Sequence, residues 1–435
     1  MAVRVRFAPI STGQVRIGNI RTAIFNWLFA RHEGGEFLLR IDDTDKEKSA
    51  PESAQAIFDA LKWLQIDYDS EPAYQSSRNK AYVAAAEELI KHGWAYKSEG
   101  TAGQGESIIF AMPKDDMSFF DEVRGELRKE AKDMADFVIV RANGTPVFHL
   151  ANVVDDIEMG ITHIIRGEDH LEETYRDVAL FLAFGAEVPF YAHLPVMVNH
   201  QGKSYSSRDG AAFVGEFKEK GYLPEALFNY LALLGWSPGN DLSLLTREEM
   251  IQSFDLTNIK AAPVRMDMTK FEWMNGEYLH KLARKDFAAG IKAALQKSGM
   301  WSNDISDEYL DKVAGLMQER TKTYAEITYL SGFFFKEDFH YDEMAVRNRL
   351  KKEGVGDLLK ALKEKFAALD DFTAAKAQEA LHAVAVSREV QDAQLVHPLR
   401  VAVSGLLMGP DLMKMLEVLG KERVISRIDR TLQIV

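Results

Sequence analysis

Val3-Arg4-Val5-Arg6-Phe7-Ala8-Pro9-Ile10-Ser11-Thr12-Gly13-Gln14-Val15-Arg16-Ile17-Gly18-Asn19 reads as a strand that passes through a Pro-, Ser-, Thr- and Gly-bearing turn into a helix. Apolar and charged residues alternate from Val3, the period of a strand over Val3–Ala8. Beyond the turn, Ile20, Ile24, Trp27 and Leu28 share one side of a helix that Gly34-Gly35 stops. Phe37-Leu38-Leu39-Arg40-Ile41 follows, apolar enough for the inside of a parallel sheet, and runs into Asp42-Asp43-Thr44-Asp45. The first 45 residues therefore predict a βαβ unit with a polar turn at its carboxyl edge, where such sheets place ligands.

Working outward, residues 51–64 and 80–92 read as helices, and Ser98, Gly100, Gly103 and Gly105 loosen the chain from about 97 to 107. Short strands are expected at Ser107–Ala111 and Phe137–Arg141, with a turn at Asn143-Gly144. The parallel fold resumes with Ala151-Asn152-Val153-Val154-Asp155-Asp156 and the strand His163–Gly167. After Gly210 the pattern is helical to the end, jointed at Pro224, Pro238-Gly239 and Pro263, with a second helical block from near 320. Lys and Arg on the outer faces of Leu358–Leu369 and Met413–Val418 fit a solvated surface, and also RNA contacts. The expected parts are a nucleotide-binding domain over 1–79 and 150–215, an insertion over 80–149, a helical region over 216–320 and a helical domain over 321–435.

A chain of 435 residues, 46% hydrophobic and 27% charged, is too long for one core. Its formal charge of −13 excludes a bulk polycation but not local basic faces for nucleic acid. The absence of cysteine removes disulfides, thiolate nucleophiles and cysteine-ligated zinc together. Apolar runs such as Tyr230-Leu231-Ala232-Leu233-Leu234 stop far short of a membrane span, and the first strand leaves no apolar signal core. A soluble, cytoplasmic protein is expected, with no membrane partner.

A second segment, Gly202-Lys203-Ser204-Tyr205-Ser206-Ser207-Arg208-Asp209-Gly210, lies where a loop would close over phosphates gripped by the first helix turn. Activating a carboxylate with ATP needs this pairing. The carboxylate attacks the α-phosphate, pyrophosphate leaves, and the protein positions the reactants and neutralises developing charge. Glycines at the turn admit the adenosine to the backbone, and the helix N-terminus offers N–H donors.

With Arg6-Phe7-Ala8-Pro9, Thr12-Gly13, Ile17-Gly18-Asn19 and Arg21-Thr22-Ala23, the chain resembles the bacterial glutamyl-tRNA synthetases, which are class I enzymes. Leu39-Arg40-Ile41-Asp42-Asp43-Thr44-Asp45, Met159-Gly160-Ile161-Thr162-His163-Ile164-Ile165-Arg166-Gly167, Arg208-Asp209-Gly210 and Gly221-Tyr222-Leu223-Pro224 continue the resemblance. Trp273-Met274-Asn275-Gly276 and His397-Pro398-Leu399-Arg400 carry it into the C-terminal half. It implies a doubly wound parallel α/β domain with an α+β insertion, then an all-α anticodon-binding region. It further implies a monomer that takes ATP with Mg2+, L-glutamate and tRNA, and no zinc.

The resemblance places ATP at Pro9, Thr12, Gly13, Arg16, Gly18, Asn19, Ser204 and Ser207, with Arg16, Ser207 and Arg208 as the catalytic set. It places glutamate at Arg6, Ala8, Asp42, Phe148 and Arg166. Arg16 stands where the family has His, and Ser204 and Ser207 where it has two loop lysines. Asp42 replaces the usual Glu and Phe148 the usual Tyr. Arg16, always charged and able to hold phosphate bidentately, is the candidate substitute for the lost cations, with Lys203 beside it.

The function read from these residues is glutamate–tRNA ligation; the alternative is an impaired paralogue that binds tRNA or ATP as a regulatory or accessory protein. A ligase for another acceptor is a third reading, which the C-terminal helical half disfavours. Plainer readings stand beside the site. Arg166 would pair with Asp155 or Glu168, and Asp42, Asp43 and Asp45 would form a polar turn rather than a metal site. His163 and His193 would be core histidines, and Trp273 with Phe271 a packing corner.

Overall fold

Alternation along the first strand sorts its side chains onto two faces. In the computed structural model, which describes residues 2–10, 13–44, 51–98, 105–206, 208–210, 212–239 and 242–435, β1 is Arg4–Phe7. Val5 and Phe7 are buried on one face, while Arg4 and Arg6 point to the other. Helix α1 (Ile17–His32) buries Ile20, Ile24, Trp27 and Leu28 as the periodicity predicts. Its end is closed by Glu33 N to Phe29 O at 3.0 Å and Gly35 N to Ala30 O at 2.8 Å, with Gly34 at φ +62°. Strand β2 (Glu36–Ile41) then pairs in parallel with β1, Arg6 opposite Leu38.

Helix α2 (Pro51–Trp63) leads to the short strand β3 (Ala73–Tyr74), which extends this sheet in the order β1-β2-β3. After α3 (Asn79–Lys91), strands β4 (Ala95–Lys97) and β5 (Ile108–Phe110) begin a small antiparallel sheet. A hairpin not anticipated from the sequence follows, β6 (Met117–Asp121) and β7 (Gly125–Lys129). Strand β8 (Phe137–Val140) completes the antiparallel sheet. Helix α4 (Phe148–Glu158), strand β9 (His163–Gly167), helix α5 (Thr174–Ala183) and strand β10 (Phe190–Leu194) restore the parallel winding.

The hairpin does not stay with the antiparallel sheet. Strand β6 lies beside β10, giving the order β7-β6-β10-β9. Thr162, just before β9, donates its N–H to Arg4 O at 2.9 Å and so stitches β9 to β1. The two parallel-wound sheets, β1-β2-β3 and β7-β6-β10-β9, thus adjoin at β1 and β9 and together make the main sheet. Beyond it, β11 (Met197–Val198) pairs with β12 (Val264–Arg265), a short strand within the region after Gly210 read as helical.

The chain divides into two compact units, 1–218 with 224–274, and 219–223 with 275–435. In the first, Phe271 is fully buried against Phe217 and Tyr230, whereas Trp273 is 46% exposed, so the expected packing corner rests on Phe271 alone. The second is all helical, with a core that includes Leu310, Leu359, Leu399 and Leu416. Arg427, 1% exposed, donates to Val403 O at 2.6 Å and Phe333 O at 2.7 Å and pairs with Glu337. No described helix is long and apolar enough to cross a membrane.

Asp121, at the end of β6, explains why the hairpin docks where it does. Its buried carboxylate accepts from His193 N at 3.0 Å and from His193 Nδ1 at 2.6 Å, on the adjacent β10. It also accepts from the N–H groups of Val123 and Arg124, both at 3.0 Å, closing the turn. His193 is fully buried, and burial lowers its pKa, so the ring is neutral with its proton on Nδ1. Asp121→Asn keeps the shape but replaces one acceptor oxygen with a donor. It is expected to cost roughly 2 kcal/mol in urea unfolding, and the 15N shifts of the His193 imidazole report any change of tautomer.

Candidate active site

Parallel strands direct their carboxyl ends to one edge, and there the first unit opens a cavity of about 550 Å3, a size suited to a small-molecule ligand. Arg6, Ala8, Pro9, Arg16, Gly18, Asn19, Asp42, Phe148, Arg166 and Ser204 all line it. The structure therefore brings together the residues assigned to ATP and those assigned to glutamate. Gly13 and Arg208 are not on its walls: Gly13 sits in the turn at φ +106°, and Arg208 is exposed. Lys203 is also exposed and off the walls. Thr12, Ser207 and Asp45 lie outside the described residues.

The first phosphate-type segment is joined by main chain to the residues that follow the second. Ile17 N donates to Ala212 O at 3.0 Å and Val214 N to Val15 O at 2.9 Å, bracketing an antiparallel bridge between Arg16 and Phe213. Arg16 is the N-cap residue of α1, exposed, with its guanidinium 5.8 Å from the Phe213 ring and no ion pair to any described residue. A Cβ built at Gly18 meets nothing within 4 Å, so the first turn of α1 has open space beside it. The loop's other end folds on itself: Asn199 Nδ2 donates to Asp209 at 2.7 Å, and Asp209 accepts from Ser206 N at 3.0 Å and Oγ at 2.9 Å.

Behind the glutamate-type residues lies a buried charge network that the sequence reading did not identify. Arg40 and Asp42 are two residues apart at the end of β2, and Arg6 lies opposite Leu38, so all three share a face. Helix α4 covers that face with Asn152, Asp155 and Asp156, spaced to lie on one side of a helix. Arg40, 0% exposed, donates to Asp42 at 2.8 and 3.4 Å, Asp156 at 2.6 Å and Asn152 at 3.0 Å. Arg6 grips Asp156 with Nε at 3.0 Å and Nη2 at 3.2 Å, and its Nη1 bonds no described residue. Burial raises the Asp156 carboxyl, but Arg6 and Arg40 outweigh it and hold it below its ordinary range. Asp42 goes the other way: burial wins over Arg40 and pushes it up to about 6.

Arg166, on β9, does not pair with Asp155 or Glu168. It pairs with Asp177 of α5 at 3.0 Å, donates to Thr174 Oγ1 at 2.8 Å and to His193 Nε2 at 3.3 Å. The Asp121 bond that fixes the His193 tautomer is what leaves Nε2 as an acceptor. Glu168 is taken by Arg124, and Asp155 by Arg78 at 2.8 Å and Tyr82 at 2.8 Å, each a strand or helix away from Arg166. Phe148 stacks on His170, ring centroids 5.8 Å apart, and both line the cavity. His163 packs between Phe29 and Phe190 but is only half-buried, so of the two expected core histidines His193 alone is fully buried.

Arg21 is a second residue the sequence reading left without a role. It is 3% exposed and faces the cavity from α1, with no carboxylate partner among the described residues. It donates to Leu234 O and Pro195 O, both at 2.8 Å, and lies 4.9 Å from the Phe25 ring centroid. At the end of β2, Asp43 accepts from Ser76 N at 2.7 Å and Oγ at 2.6 Å. No group of three metal-ligating side chains occurs among the described residues.

Comparison with known proteins matches this architecture. The family model described as the catalytic domain of class I tRNA synthetases (E and Q) matches residues 2–108 and 98–273. A model for an anticodon binding domain matches residues 278–432. "Glutamate--tRNA ligase 1" of Caldanaerobacter subterraneus subsp. tengcongensis is 36% identical over 471 aligned positions, covering 100% of this chain and 98% of its own. "Glutamate--tRNA ligase" of Bacillus licheniformis is also 36% identical, covering 99% of each chain. The crystal structure of a glutamate tRNA ligase from Elizabethkingia meningosepticum, in complex with its amino acid, superposes with a TM-score of 0.89 at 31% identity, covering 100% of this chain and 99% of that one. A winding parallel sheet with its charged cavity, followed by a helical second unit and matched over the whole length, places this chain in the glutamate–tRNA ligase family of class I tRNA synthetases.

Proposed function

We propose that this chain activates L-glutamate with ATP and transfers it to the 3′ end of tRNA, using the cavity at the carboxyl edge of the main sheet. The observation that carries this reading is the convergence of both phosphate-type segments and the Arg6, Arg166 and Asp42 side chains on one cavity. Arg6 and Arg166 take glutamate's carboxylate end, since each has its buried counterion behind it and keeps its planar fork oriented. Asp42 takes the ammonium, and Ala8 and Phe148 complete the wall. Pro9, Gly18, Asn19 and Ser204 receive ATP, with Thr12, Gly13 and Ser207 on the same two segments.

ATP enters as its Mg2+ complex. The glutamate α-carboxylate attacks the α-phosphate in line, the bond to the β-phosphate oxygen breaks, and pyrophosphate leaves. A terminal ribose hydroxyl of the tRNA then attacks the acyl carbon and releases AMP. Arg16, at the N-cap of α1 and free of any described carboxylate, supplies positive charge to the phosphates where the family carries His, with Arg208 on the closing loop. The second unit takes the anticodon end of the tRNA. Of the four sequence-derived parts, 80–149 serves the acceptor end and 216–320 the stem, in a monomer working in the cytoplasm.

Charging of total tRNA with labelled glutamate, ATP and Mg2+ tests this directly. Saturable charging is expected; tight tRNA binding with no charging overturns the reading in favour of an accessory protein. Within an active enzyme, Arg16→His is expected to lower kcat by roughly 10²-fold, and the pair Ser204→Lys with Ser207→Lys to raise it. Unchanged activity in Arg16→His sinks the substitution of Arg16 for the lost cations.

The raised pKa of Asp42 sets a pH dependence. Below about 6 its carboxyl is protonated and loses its attraction for the glutamate ammonium. The expected profile of kcat/KM for glutamate therefore falls as pH drops through 6, and Asp42→Asn abolishes that acid limb.

A further inference from the structure

Arg40 reaches both ends of the glutamate pocket while being 0% exposed. Its Nε lies 2.8 Å from Asp42 Oδ1, the carboxylate assigned to the ammonium, and its Nη1 lies 2.6 Å from Asp156 Oδ1. That same Asp156 oxygen accepts Arg6 Nε at 3.0 Å. Nη2 adds Asn152 Oδ1 at 3.0 Å, and Gln75 Nε2 holds the same Asn152 oxygen at 3.0 Å. One planar guanidinium thus ties three elements, β2, α4 and, through Asp156, β1.

We propose that Arg40 is a positioning residue for the amino acid: its rigid fork sets the distance and orientation between Asp42 at the ammonium end and Arg6 at the carboxylate end of the pocket. This rests on the assignment of Arg6 and Asp42 to glutamate given above. A side chain that fixes two anchors of one ligand acts on that ligand's affinity. Its side-chain hydrogen bonds to described residues go to Asp42, Asp156 and Asn152, and none goes to the walls assigned to ATP, such as Gly18 and Asn19 on α1.

The charged groups around Asp42 are Arg40 on its own strand, Arg6 on β1 and Asp156 on α4. Asp155, also on α4, is 3.9 Å from Arg40 Nε and is itself occupied by Arg78 and Tyr82 of α3. Of these, Arg40 alone donates to Asp42. Removing its charge therefore leaves Asp42 harder to ionise, and the acid limb for glutamate moves to higher pH.

The test compares wild type, Arg40→Lys and Arg40→Gln in tRNA charging across pH 5.5 to 9, with glutamate and ATP varied separately, and glutamate binding by calorimetry. Arg40→Lys keeps a charge but loses the fork. It is expected to raise the glutamate KM about tenfold or more at pH 8, with the ATP KM within about twofold. Arg40→Gln removes the charge and is expected to move the acid limb of kcat/KM for glutamate upward by about one pH unit or more. A merely structural arginine moves neither the limb nor the ratio of the two KM values. Should Arg40→Gln fail to fold, Arg40→Lys decides. An unchanged glutamate KM in Arg40→Lys, or an equal rise in both KM values, overturns this role and leaves the functional reading standing. A wild-type protein that neither binds nor charges glutamate overturns the functional reading, and this role with it.

Discussion

Burying a charge costs several kcal/mol unless a partner and hydrogen bonds offset it, and this sheet buries five within one layer. Arg6, Arg40, Asp42, Asp155 and Asp156 are each no more than 5% exposed, between the β1–β2 face and α4. The offsets are uneven. Asp156 receives two guanidinium groups and is held well ionised, whereas Asp42 receives one and rises to about 6. What remains unbalanced therefore sits on the cavity wall, where a ligand's ammonium would supply the second cation. The charge balance of the network falls short at Asp42, on the surface of the cavity.

The phosphate side follows a different rule. The first segment is joined by main-chain bonds to the chain just past the second, Ile17 N to Ala212 O and Val214 N to Val15 O, which no side-chain replacement removes. Charge there resides in side chains carried by that backbone frame, so a change of side chain at Arg16 or Ser204 alters the electrostatics of the cavity without touching these bonds.

The βαβ unit was legible because its signals are local. Both strands and α1 fall within one or two residues of the expected bounds, set by alternation and by Gly34 at φ +62°. On the cavity wall, Ala8, Pro9, Gly18 and Asn19 were legible for the same reason, as they flank a turn that carries its own motif. The β6–β7 hairpin was not. Met117, Phe119 and Asp121 are its buried side, and an aspartate in the third place disguises a period of two. Arg40 was missed because a charge inside an apolar strand looks like a surface residue until its partner, 116 positions later, is seen across the layer. Arg21 hides similarly, since its acceptors are carbonyls that no sequence pattern marks.

The two pocket arginines are mounted alike, and this bears on selectivity. Each projects from a strand, and each is held from behind by an aspartate on a packed helix, Asp156 of α4 for Arg6 and Asp177 of α5 for Arg166. Arg166 is further fixed through His193 to Asp121, so the unanticipated hairpin reaches the pocket by a chain of short bonds. Groups locked in this way cannot follow a ligand whose charges are spaced differently. A pocket with two fixed guanidinium groups and one fixed carboxylate leaves buried donors unpaired when the ligand lacks a carboxylate or presents it a methylene too near, and unpaired buried donors are what discriminate most strongly. On the proposed assignment, rigidity behind the wall, supplied by helices and a borrowed hairpin, is what sets the specificity of the cavity.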